Sequence, residues 1–194
     1  MRIVTAILLF TLFSCGQEKT KQTTPKLKKE ITKNEPVKDT LSSSTSTADT
    51  TRLIKEIKDE FSRINALRSP GQVIHFKCEQ SEDDITYFLN KDEIVKIKVE
   101  KQWLGDDYRS SEYYYKNGQY FFGYVYTEAG SAGHPLAKET RTYVHNNKTI
   151  RYLADKEIKP CKTCEFSSTS LPYALLNALK AKKSAAEINK LICE

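Results

Sequence analysis

The sequence predicts an α+β domain. Its centre is an antiparallel β-meander of three hairpins, six or seven strands in all, with an N-terminal amphipathic helix and C-terminal helices packed on one face. Three observations lead there. Apolar residues recur at helical spacing from Leu53 to Ile64, β-favouring runs flank three asparagine turns, and leucines return at helical spacing after Ser170.

The chain begins with Arg2, a short apolar run from Ile3 to Phe13, small Ser14 and then Cys15. A basic start, an apolar stretch and a small residue at the cut form a secretory signal. The run is shorter than the ~20 apolar residues a bilayer span needs. Leu12-Phe13-Ser14-Cys15 resembles the lipobox of bacterial lipoproteins, with bulky Phe13 a variant at its position. The resemblance implies cleavage after residue 14, acylation of Cys15 and a palmitate-bearing anchor. The protein would then sit in the cell envelope, at the outer membrane facing the periplasm or the cell surface.

Residues 15–50 are expected to form a disordered tether. They are rich in Lys, Thr, Ser and Glu and carry Pro25 and Pro36, too little apolar surface to offset the entropy of ordering. At roughly 5–6 Å times the square root of its length, the segment holds a folded domain, residues 51–194, a few tens of ångströms from the lipid. The formal charge of +6 divides evenly between residues 1–50 and the rest. No basic cluster marks a nucleic-acid face, so no nucleic-acid partner is expected.

Within the domain, Leu53, Ile54, Ile57, Phe61 and Ile64 make one helical stripe, ended by Ser69-Pro70-Gly71. A strand from Val73 to Cys78 follows, closed by an acidic turn at Glu82-Asp83-Asp84. Three weak repeats come next, centred on Asn90, Asn117 and Asn146. Asn117-Gly118 suits a two-residue turn with φ > 0 at both positions, Asn146-Asn147 less well, and Asn90-Lys91 least. These repeats resemble the Tyr-x-x-Asn-Gly hairpins of bacterial lipoproteins and distantly those of MORN proteins, without the MORN glycine spacing. That likeness implies a scaffold and brings no catalytic residue. After a loop at Lys159–Cys164, Ser170-Leu-Pro172 starts a helix bearing Leu171, Leu175, Leu176 and Leu179. Ser184-Ala-Ala-Glu187 is a capping-box pattern for a second helix.

Strict alternation away from Asn117-Gly118 places Tyr113, Tyr115, Tyr120, Phe122, Tyr124 and Tyr126 on one face, with Phe88, Val95, Ile97 and Val99 beside them. The third hairpin breaks the parity and requires a bulge at an unspecified position. Two readings of the aromatic face stand. Helices cover it as core, the favoured one because aromatics dominate cores, or it is a tyrosine-rich surface for a protein, peptide or glycan partner.

Besides Cys15 there are four cysteines, Cys78, Cys161, Cys164 and Cys193. An even number in an exported chain points to disulfides, with three pairings open. A Cys161–Cys164 bridge, or either of these to Cys78, leads. Redox activity of the Cys161/Cys164 pair ranks second, because no helix start follows Cys164 to activate a thiolate. A four-cysteine zinc site ranks third. His75, His134 and His145 are scattered, Asp106-Asp107 has too few ligands for a cation, and no hydrolase or phosphate-binding spacing occurs. Neither catalytic residues nor a cofactor is expected. The sequence points to a non-enzymatic binding module held at a membrane by its N-terminal lipid.

Overall fold

The computed structural model describes residues 47–103, 107–130 and 136–193. The signal, Cys15 and nearly all of the expected tether therefore lie outside the described residues, as do Asp106 and His134. Helix α1 runs Thr47–Asn65, starting slightly before the expected boundary. Eight strands follow: β1 (Gln72–Lys77), β2 (Ser81–Asn90), β3 (Glu93–Trp103), β4 (Tyr108–Lys116), β5 (Gln119–Ala129), β6 (Leu136–His145), β7 (Lys148–Ala154) and β8 (Glu157–Ile158). Helices α2 (Leu171–Lys180) and α3 (Ala185–Ile192) complete the chain. The strands pair in chain order as one antiparallel meander. The α+β meander is as expected, but it has eight strands, not six or seven.

One turn was misplaced, lengthening β2, and one strand, β8, was not expected. Glu82-Asp83-Asp84 is not a turn but part of β2, and the reversal lies at Cys78–Gln80, closed by Cys78 N–H donating to the Ser81 carbonyl at 2.9 Å. At the far edge, Asp155 and Lys156 both take positive φ and fold β8 back on β7.

The three repeats share one device. Each has a two-residue turn, at Lys91-Asp92, Asn117-Gly118 and Asn146-Asn147. The register then shifts, leaving Val95, Phe121 and Ile150 as extra residues, each the third after its turn. A bulge reverses the parity of every later residue in its strand. Tyr115 pairs with Tyr120 as expected, but Tyr114 opposes Phe122 and Tyr113 opposes Gly123.

The sheet consequently buries both faces, and the helices are not all on one. The α1 face gathers Ile54, Ile57 and Ile64 with Val95, Tyr114, Phe121, Phe122 and Tyr143. Phe61 sets its ring 5.0 Å from both Tyr114 and Phe122. The opposite face packs Ile85, Ile97, Val99, Tyr113, Tyr115, Tyr120 and Val144 under Leu175, Leu176, Leu179, Ile188 and Ile192. Val95 thus separates from Ile97 and Val99, contrary to the expected grouping.

Buried tyrosines find partners for their hydroxyls. Tyr115 donates to the Pro172 carbonyl at 2.7 Å, and Tyr173 donates to Asn147 Oδ1 at 2.6 Å while accepting from Tyr120 N–H at 3.1 Å. Leu171 is exposed, so the α2 stripe is Tyr173, Leu175, Leu176 and Leu179. The α3 capping box forms as read, with Ser184 and Glu187 bonded reciprocally. Among the described residues, no helix is long and apolar enough to cross a membrane.

Candidate functional site

Helix α1 covers only the turn-proximal half of its sheet face. Beyond it, strand pairing aligns Lys98, Glu112, Tyr124 and Arg141 in one row across β3–β6. Glu100, Ser110, Tyr126 and Glu139 form the next row, and Gln102, Tyr108 and Glu128 a third. Each row therefore sets one tyrosine among charged and polar groups.

The charges are matched locally. Lys96 and Tyr114 hold Glu112, at 2.9 and 2.5 Å, and Lys98 lies 2.7 Å from Glu100. Arg141 lies 3.0 Å from Glu139 and 5.9 Å from the Tyr124 ring centre, a cation–π distance. Tyr108 donates to Glu100 at 2.5 Å and Tyr126 to Glu128 at 2.8 Å. Burial, reinforced by the Glu100 carboxylate, pushes the Tyr108 phenol up to about 12. Burial also tends to raise Glu100, but Lys98 and Tyr108 together hold it below the usual carboxylate range. Tyr108 therefore stays a neutral donor beside an ionised Glu100 at neutral pH.

Between α1 and this face is a cleft of about 410 Å³. Its floor is Phe122, Tyr124 and Tyr143, with Phe61 from the helix, and Lys58, Glu112 and Arg141 at its margin. A hollow of about 340 Å³ continues past Tyr124 to Tyr126, Lys138 and Asp155. The arrangement offers aromatic contact and fixed donors and acceptors to a ligand that lies along it.

The six aromatics expected on one face are divided. Tyr113, Tyr115 and Tyr120 are buried beneath α2 and α3, and Phe122 is buried beneath α1. Tyr124 and Tyr126 remain half-buried on the open surface. Tyr108, Glu112, Glu139 and Arg141 were missed, because their assembly depends on register across the bulge.

The cysteines form two bonds, Cys78–Cys193 and Cys161–Cys164. The local bridge is one of the pairings expected, whereas Cys78 joins Cys193 instead of Cys161 or Cys164. All four sulfurs are thereby occupied, so the four-cysteine zinc arrangement does not form. The Cys161–Cys164 loop is pinned to β7, with Thr149 N–H donating to the Cys164 carbonyl at 2.8 Å and Thr149 Oγ1 to the Thr163 carbonyl at 2.7 Å. Neither of its cysteines stands at a helix N-terminus. His75 bonds Asp84 at 2.6 Å, far along the chain from exposed His145. No family model, curated protein or solved structure matches this chain.

Proposed function

We propose that this chain is a binding module, lipid-anchored through Cys15 in a bacterial cell envelope, and that the open half of the α1 sheet face acts non-enzymatically, receiving a protein, peptide or glycan partner. The observation that carries the proposal is the set of half-buried tyrosines, Tyr124, Tyr126 and Tyr108, one in each of three successive rows beside a preformed cleft. Tyrosine supplies broad contact area with little side-chain entropy to lose, and is enriched where proteins meet partners. The neighbouring carboxylates and Arg141 supply directional bonds, which a sugar ring or a peptide backbone would use equally. The apolar leader ending in Leu12-Phe13-Ser14-Cys15 supports the anchor.

The test is cross-linking and affinity capture from intact envelopes, with Tyr124→Ala/Tyr126→Ala compared against Lys182→Ala on the α2–α3 side. Loss of the same partner in the tyrosine variant alone is the expected result. A partner retained equally by both variants would reject this face. Metabolic labelling with palmitate, abolished by Cys15→Ser, checks the anchor independently. The competing reading, a thiol–disulfide protein acting through Cys161 and Cys164, predicts insulin-reducing activity lost in Cys161→Ser.

A further inference from the structure

The corner where β1, β2, β3 and α3 converge holds a group that the binding face does not use. Asp83, on β2, is 1% exposed and yet carries a charge-bearing side chain. Its Oδ2 lies 3.2 Å from Lys101 Nζ, and Lys101 also donates to the Ile192 carbonyl at the end of α3. Its Oδ1 has no hydrogen-bond partner. A buried carboxylate normally fills its acceptor sites, because leaving one empty forfeits hydration without replacement.

The other carboxylate oxygen, Oδ2, faces the neighbouring disulfide as well as Lys101. Cys78 Sγ lies 3.1 Å from Asp83 Oδ2, and Cys193 Sγ lies 2.8 Å from Asn189 Oδ1. A disulfide sulfur has no proton to donate, so two acceptor oxygens face sulfur lone pairs. A pair of thiols would satisfy both. The Cys161–Cys164 bond lacks such a setting, with its own loop carbonyl 3.5 Å from Cys164 Sγ.

We propose that Cys78 and Cys193, with Asp83 and Asn189, form a thiol–disulfide exchange site whose substrates are dithiols. A substrate thiolate attacks Cys193 Sγ, the exposed C-cap residue of α3. The sulfur–sulfur bond breaks, and its electron pair leaves on Cys78 Sγ, which takes a proton and donates it in a hydrogen bond to Asp83. The second substrate thiol then attacks the mixed disulfide. It closes the substrate's own disulfide and releases Cys193 Sγ, which takes a proton and bonds Asn189 Oδ1. Two electrons and two protons pass from the substrate to the pair, and the reverse sequence reduces a substrate disulfide. Asp83 and Asn189 are positioning residues that favour the dithiol form.

The experiment equilibrates the folded protein with dithiothreitol over a range of reduced-to-oxidised ratios. Free thiols are trapped by alkylation and the two cysteine pairs are read separately by peptide mass mapping. In Asp83→Leu/Lys101→Met, which removes both charges together, the Cys78–Cys193 equilibrium is expected to move about tenfold toward the disulfide, the size of one lost hydrogen bond to a charged group. Asp83→Asn moves it less, and the Cys161–Cys164 equilibrium stays fixed in both variants as the internal reference. Near-ultraviolet circular dichroism monitors folding throughout. An unchanged Cys78–Cys193 equilibrium in both variants overturns the proposal, as does reduction of that bond only where the dichroism signal is already lost.

Discussion

At Gly123 the packing leaves no room for a side chain, since an added Cβ would overlap the Tyr120 hydroxyl. Tyr120 is buried against Phe166, whose ring is 4.9 Å away, and cannot swing clear. Gly123→Ala is therefore expected to cost about 1–3 kcal/mol, the range for overpacking a filled core, measurable by urea denaturation. A wild-type midpoint in that variant would mean the ring is free to move. Residue identity alone came close to showing this double-sided packing. Tyr113-Tyr114-Tyr115 and Tyr120-Phe121-Phe122 are unbroken apolar runs, and a strand covered on both faces reads as a run instead of an alternation. Strict alternation applied to those runs assigned six aromatics to one face, whereas the bulge divides them between two.

At the scale of elements, local chemistry was legible wherever a short pattern carries its own mechanism. The Ser184–Glu187 capping box is one case, and Ser184→Ala is expected to lower stability by about 1 kcal/mol by freeing the first-turn N–H groups of α3. Asn117-Gly118 is another: its φ angles of 50° and 74° are those of the turn expected from the pair. Gly118→Ala places a side chain in the left-handed region and should destabilise by about 1 kcal/mol, read as a lower thermal midpoint. The bulges at Val95, Phe121 and Ile150 had no such signature, because each is an ordinary apolar residue whose displacement is visible only in pairing. Arg141 and Glu139 escaped notice for the same reason. They reach Tyr124 and Tyr126 by cross-strand register, whereas the tyrosines are conspicuous by type.

For the whole molecule, the tyrosine content sets the response to alkali. Burial raises the phenols of Tyr113, Tyr114, Tyr115 and Tyr120, and burial with Glu100 raises Tyr108 to about 12. A folded-state value above the unfolded one stabilises the native form below the unfolded pKa, here 10.0, and that contribution fades as pH climbs through the folded value. The protein is expected to lose stability above pH 10, with tyrosinate absorbance rising together with loss of far-ultraviolet dichroism. Full ionisation at pH 10 in a still-folded protein would refute this. The two bridges should also differ in weight. Cys78–Cys193 spans 115 residues and Cys161–Cys164 only 3. Replacing the first pair by serine should cost about 2–4 kcal/mol and the second less, because a long closed loop restrains the unfolded chain more.

The long bridge also decides how the domain bears a mechanical load. If the N-terminus is fixed to a surface and the other end of the chain is pulled, tension crosses from Cys78 directly to Cys193 and bypasses every hairpin between them. Only α1 and β1 lie on the stressed path, so extension of the oxidised protein stops after those elements unravel. Opening that single covalent link would place the entire meander under force.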